Sequence, residues 1–139
     1  MSTTSDILQW MKDDPTFLGC IKAKKLQHLK PQTLGCFVIH HRGHWVALRC
    51  TPKYCLYFDA AHQKIPRSVL QWMRRTGKKI YSSKYRLQHE NSTKCGEFCV
   101  VFLSYVTHVK HYKRFYRYFS LQKLYKNDVI VSSVVNKVS

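Results

Sequence analysis

Residues 88–102 read QHENSTKCGEFCVVF, and the role of Cys95 within them decides how the rest of the chain is read. A polar segment, HENSTK, delivers this cysteine to the start of an apolar run. In that run Phe98, Val101, Phe102, Tyr105 and Val109 recur three or four apart, the spacing of one helix face. A cysteine in the first turn of a helix sits among unpaired backbone N–H groups at the positive end of the helix dipole, a setting that favours the reactive thiolate. Gly96 leaves the neighbouring N–H groups unobstructed, as a site holding a developing oxyanion requires. Taken alone, the stretch leaves three readings open: a nucleophile, half of a metal site, or a small buried residue at a helix start.

A thiolate nucleophile needs an imidazole beside it. Of eight histidines, His44 is the best placed, because GHWVAL puts it at the opening of a strand where its side chain projects from the sheet edge. The next strand, YCLYFDA, ends at Asp59, which comes near His44 if the two strands pair antiparallel or lie side by side. A carboxylate there would fix the imidazole tautomer and stabilise the imidazolium. Gln88, seven residues before Cys95, carries an amide that can reach the same oxyanion. The chain order His44, Asp59, Gln88, Cys95 reverses the papain order, in which the cysteine precedes the histidine.

Outward from these residues the chain alternates short strands and helices. Ser5 or Asp6 can cap a short helix carrying Ile7, Leu8, Trp10 and Met11, which DDP terminates. TLGCFVIHHRGHWVALRC predicts two strands joined at HRG and YCLYFDA a third, so three successive strands suggest an antiparallel sheet. PRSVLQWMRRTG predicts a helix starting at Pro66 and stopping at Gly77, with Val69, Leu70 and Met73 on its apolar face. KKIY and YRLQ are weaker strand candidates. The helical register that begins at Cys95 continues through Tyr112, Tyr116 and Phe119, with Lys110, Lys113, Arg114 and Arg117 on another face. Val131, Val134, Val135 and Val138 suggest a final helix despite their β-branching. The fold class is α+β, a mixed or antiparallel central sheet flanked by helices, with the cysteine at the N-terminus of a central helix.

A chain of 139 residues is one domain's worth, with no repeat, linker or low-complexity tract. Its 24 Lys and Arg stand against 7 Asp and Glu, a formal charge of +17 that implies a polyanionic partner. The chain shows no apolar run of membrane-spanning length, and MSTTSDILQWMKDDP lacks the pattern of a secretory leader, so nucleic acid is the expected partner and a membrane is not. Six cysteines without a secretory leader are expected to be mostly free thiols in a reducing compartment.

At GHW (Gly43 to Trp45), Asp59, and Gln88 with NSTKCGEFC, the sequence resembles the adenain-like cysteine proteases of adenoviruses and related DNA viruses, which share a fold with the SUMO-specific proteases. PTFLGC at Pro15 to Cys20 extends the resemblance, which covers roughly Ile7 to Val106. It implies His44 as general base, Asp59 as its orienting carboxylate, Gln88 as oxyanion donor and Cys95 as nucleophile, with Trp45 lining the substrate groove. It further implies cleavage after small residues, often glycine, in capsid and core precursors during virion maturation. DNA would be the activating cofactor, and the setting the virion and host nucleus. Adenovirus members are longer and bind an activating peptide through a disulfide to a cysteine between the acidic residue and the glutamine. Here no cysteine lies between Asp59 and Cys95, so a noncovalent peptide, DNA alone, or no activator is expected, with a monomer and no small-molecule or metal cofactor.

Three other readings compete. One is an isopeptidase for ubiquitin-like modifiers with Gly-Gly tails, and another a noncatalytic DNA-binding particle protein of the same fold. The third is a zinc site using CTPKYC and CGEFC with His40, His41 and His44. Cysteines placed inside strands and a helix argue against zinc.

Overall fold

The alternation of apolar residues along the middle strands gives both sheet faces something to bury, and both are covered. In the computed structural model, which describes residues 1–138, a five-stranded sheet runs in the order β1-β2-β3-β4-β5. The strands are β1 Phe17–Lys22, β2 Gly35–His41, β3 His44–Cys50, β4 Tyr54–Phe58 and β5 Lys79–Tyr81. The central three pair antiparallel and the two edges join in parallel, so the sheet is mixed. Five α-helices complete the α+β fold: α1 Thr4–Trp10, α2 Arg67–Arg75, α3 Cys95–Tyr105, α4 Val109–Phe115 and α5 Tyr125–Val138. Short 3-10 segments span Ala23–His28 and Tyr116–Tyr118.

Period-two alternation sorts the core into two layers. Cys36, Val38, Ala47, Leu56 and Phe58 face α3 and its flanking helices, where Phe58 stacks on Phe102 with ring centroids 4.6 Å apart. Phe37, Ile39, Val46, Leu48, Cys55 and Tyr57 face α2 and the first 3-10 segment, against Trp72 and Met73. α3 is buried at every residue from Cys95 to Leu103, because the sheet, α1, α4 and α5 surround it.

The junction at HRG is a two-residue hairpin turn. Arg42 and Gly43 have φ of 50° and 76°, the left-handed pair that a type I′ turn requires, and His41 pairs directly with His44. This turn fixes where β3, and therefore His44, begins.

Several expectations need correction. The cap of α1 is Thr3 and not Ser5 or Asp6; Asp6 closes the capping box from the third helical position. YRLQ forms no strand, although the N–H groups of Leu87 and Gln88 both donate to the carbonyl of Ala60. β1 lies in a segment that carries no clear strand pattern in the sequence. The long helical register from Cys95 is interrupted after Tyr105, because the buried guanidinium of Arg49 donates to the carbonyls of Leu103 (2.7 Å) and Val106 (3.0 Å). Those carbonyls would otherwise have accepted the next turn of helix, and His108 restarts the chain as α4 by capping the N–H of Lys110. The final helix forms, with Val131 and Val135 buried and Val134 exposed; the side chain of Val138 lies outside the described residues.

Candidate active site

Because β3 and β4 are antiparallel, the first residue of one and the residue after the last of the other lie at the same end of the sheet. His44 and Asp59 meet there, with Nε2 of the imidazole 2.6 Å from Oδ1 of the carboxylate. Asp59 is 2% exposed and held from three sides. Its oxygens accept the N–H groups of Ala61 (2.9 Å) and Gln63 (3.0 Å), and its own N–H donates to Ser83 Oγ at 2.7 Å. The turn that makes this possible includes His62 at a φ of 50°, a conformation uncommon for a residue with a Cβ.

With Nε2 committed to Asp59, Nδ1 is the nitrogen left for Cys95, which lies near enough to bear on the titration of the imidazole. Burial alone would push the imidazole pKa down. The hydrogen bond to Asp59 and its charge, with Cys95 nearby, outweigh that and hold it up at about 9. His44 therefore carries a proton at neutral pH and donates from Nε2 to Asp59. His44 at a strand start and Asp59 just past a strand end thus come together, with Cys95 at a helix start beside them.

Cys95 opens α3 and is 2% exposed. Ser2 packs on the next residue. Its hydroxyl donates to Glu97 Oε1, its carbonyl accepts from Trp45 Nε1 at 3.2 Å, and a Cβ added to Gly96 would lie 2.6 Å from its Cβ and Oγ. Glycine at 96 therefore has a packing reason in addition to the open N–H groups expected of it. Trp45 is buried and lies tilted against His40, with ring centroids 4.5 Å apart.

Gln88 is 5% exposed. Its Nε2 donates to the carbonyl of Ser92 at 3.1 Å, which leaves one amide N–H uncommitted, and its Oε1 is buried without a partner among the described residues. Lys110, Lys113 and Arg114 lie on α4 and Arg117 on the 3-10 turn after it. All four are exposed, and none joins an ion pair among the described residues.

All six cysteines are free thiols. Cys50 and Cys55 are cross-strand partners in the α2-side core, remote in register from the CGEFC pair, and no three His, Cys, Asp or Glu residues among those described converge as metal ligands would. No helix among the described residues is long and apolar enough to cross a membrane.

Sequence patterning did not single out Ser2, Arg49, Asn127 or Asp128, and Ser2 and Asn127 carried no signal at all. Arg49 had one signal, a charge at an inward position of an otherwise apolar strand, and Asp128 had another, an acid in a chain with only 7.

No protein-family model matches the sequence, and no curated protein does. Solved structures do match. A crystal structure of ASFV pS273R protease superposes with a TM-score of 0.61 at 16% identity, covering 93% of this chain and 65% of that one. The selenomethionine form of the same protease gives 0.54 at 17% identity, over 74% and 57%. A de-sumoylating protease gives 0.45 at 14%, over 74% and 55%, too loose to carry weight. The chain thus shares the fold of that viral protease, and it spans about 65% of its length.

Proposed function

We propose that this protein is a cysteine endopeptidase of the adenain-like type, with Cys95 as nucleophile. The observation that carries this reading is the imidazole of His44 held 2.6 Å from the buried carboxylate of Asp59, with a cysteine at a helix start near enough to raise the imidazole pKa. An imidazolium in contact with sulfur is the environment in which a cysteine attacks as the thiolate.

The sulfur adds to the scissile carbonyl, and the resulting oxyanion is received by the free amide N–H of Gln88 and the N–H groups of the first turn of α3. His44 passes its proton to the leaving amine, which departs and leaves an acyl-enzyme on Cys95. Water then attacks that thioester, with His44 now accepting the proton as base, and the acid product leaves. Asp59 keeps Nε2 engaged throughout, so only Nδ1 faces the chemistry. A nucleophile only 2% exposed favours substrates with small residues, glycine above all, at the cleaved bond.

The biological setting we propose is maturation of capsid and core precursors in the virion and host nucleus, with duplex DNA bound through Lys110, Lys113, Arg114 and Arg117. The net charge of +17 and the lack of acidic partners for these four residues among those described support it. Contacts of this kind weaken with salt, log affinity falling by about 0.9 per neutralised phosphate per log unit.

The test is hydrolysis of glycine-containing peptides, together with intact-mass detection of Cys95 after a peptide vinyl sulfone, each with and without duplex DNA. Cleavage and labelling lost in Cys95→Ala and His44→Ala, and accelerated by DNA in a salt-sensitive way, are the expected results. A Cys95→Ala variant that cleaves as fast as the parent ends the protease reading. Duplex binding beside an inert Cys95 would replace it with the noncatalytic one.

A further inference from the structure

Gln88 lies in a loop, yet both of its flanks are tied to one dipeptide on a helix distant in sequence. Asn127 is fully buried in the first turn of α5, and its Nδ2 donates to the carbonyl of Leu87 at 2.9 Å. The same amide is itself fixed, donating to the carbonyl of Ser120 (2.8 Å) and accepting from the Ser120 N–H (2.9 Å). The next residue, Asp128, takes the other flank: Oδ2 lies 3.1 Å from His89 Nε2, and Oδ1 accepts from Ser92 Oγ at 2.8 Å. Ser92 is also the residue whose carbonyl holds the Gln88 amide, and its hydroxyl accepts the N–H of Lys94, the residue before Cys95.

Every bond in this set bears on where the Gln88 amide points. The Leu87 and Gln88 N–H groups rest on Ala60, beside Asp59, which references the loop to the strand end that carries the carboxylate. Asn127 and Asp128 reference it to α5, which packs on α3. In a chain with 7 acids and 24 Lys and Arg, Asp128 faces no Lys or Arg partner within ion-pair distance among the described residues; its oxygens go to a histidine and a serine of this loop. A surface acid recruited for charge balance would have had many alternatives.

From this bracket we infer that Asn127 and Asp128 are positioning residues for oxyanion stabilisation, acting through the Gln88–Lys94 loop, an inference that rests on the protease reading above. They touch neither substrate nor sulfur. Their effect is to hold one N–H of the Gln88 amide on Ser92, so that the other is presented in a fixed direction before substrate arrives.

The experiment separates steps that generate an oxyanion from one that does not. Peptide hydrolysis and binding of a glycine peptide aldehyde both place negative oxygen at the site, whereas alkylation of Cys95 by iodoacetamide needs only the sulfur and His44. Asp128→Ala is expected to lower kcat about 10-fold to 100-fold with KM within about twofold, below the full loss of an oxyanion donor. It should weaken the aldehyde by a similar factor and leave the alkylation rate unchanged. Asp128→Glu should restore part of the loss, and Ser92→Ala, which removes the hydroxyl's bonds to Asp128 and to the Lys94 N–H at a half-exposed position, should reproduce a smaller part of it. Adding Asp128→Ala to Gln88→Ala should cost nothing further, since both act on the same amide.

Unchanged kcat in Asp128→Ala, alongside a clear loss in Gln88→Ala, overturns the inference and leaves the protease reading standing. So does a parallel fall in alkylation and hydrolysis, or additive losses in the double variant, because either would place the effect outside the oxyanion. A parent whose hydrolysis survives Cys95→Ala overturns the protease reading first and this inference with it.

Discussion

The two halves of the candidate site are built by different means. His44 and Asp59 belong to adjacent antiparallel strands, their approach fixed by a two-residue turn and a ladder of backbone hydrogen bonds, and the Asp59 carboxylate is fully engaged. Gln88 and Cys95 belong to a loop and the helix start it feeds. There the order comes from side chains on α5 and from Ser2, and one buried oxygen of Gln88 has no partner among the described residues. The imidazole and its carboxylate are preorganised by the sheet itself. The amide and the helix turn that receive the oxyanion depend on several contacts from elements far away in the chain, so they are the half more easily loosened.

The largest separation between the halves is expected from removing their central groups. His44→Ala should lower kcat/KM by about 10³-fold or more, since it removes both the proton carrier and the partner of the sulfur. Gln88→Ala should cost about 10²-fold, because the backbone N–H groups of α3 still face the oxyanion. Steady-state hydrolysis of one peptide by both variants measures the difference, and equal losses would break the contrast.

Asp59→Asn sharpens it from the side of the carboxylate, with an expected loss of about 10²-fold or more. Two backbone N–H groups and the imidazole all donate to Asp59, so an amide that presents its own N–H must turn one donor against another. The pH profile gives the sign. His44 is protonated below about 9 and neutral above it, so proton delivery to the leaving amine falls as pH rises through about 9. Losing the Asp59 charge removes part of what raises that pKa, and the alkaline limb of kcat/KM should move to lower pH. A limb that stays in place would show that Asp59 is not what sustains the imidazolium.

What could be read from the sequence follows the same division. Alternating strands, the HRG turn and the order of His44, Asp59, Gln88 and Cys95 are local patterns, and the sheet turns such patterns directly into positions. The supports of the loop are not local: Asn127 and Asp128 lie about 40 residues beyond the groups they hold, and nothing in a run of valines marks a helix as a clamp. The break after Tyr105 was hidden for the same reason. Helical periodicity runs straight through Val106, and only tertiary contact brings Arg49 from β3 to take the carbonyls that would have carried the helix on.

Arg49 ties the end of α3 to β3, the strand that begins with His44, so it joins the two halves through the core. Arg49→Leu should fill much of the space yet strand two buried carbonyls, costing about 2–4 kcal/mol of stability in urea unfolding. Activity per folded molecule should fall as well, because α3 carries Cys95 at its other end. Unchanged stability would mean that water takes over these carbonyls and that the anchor is dispensable.

The smallest effect expected is at Gly96, and it tests whether the Ser2 contact sets the position of the first turn of α3. An alanine Cβ would come within 2.6 Å of Ser2 Cβ and Oγ, a separation that real Cβ atoms do not tolerate, so either Ser2 or the helix start must move. Gly96→Ala should therefore cost about 1–3 kcal/mol through overpacking, partly offset by the better helix propensity of alanine. If Ser2 is what resists, Ser2→Gly should relieve most of that cost in the double variant and return the peptide cleavage rate toward that of Ser2→Gly alone. If the double variant remains as impaired as Gly96→Ala, the glycine is required by the approach to Cys95 and not by Ser2, and the open N–H groups of the oxyanion site become the reason for its presence.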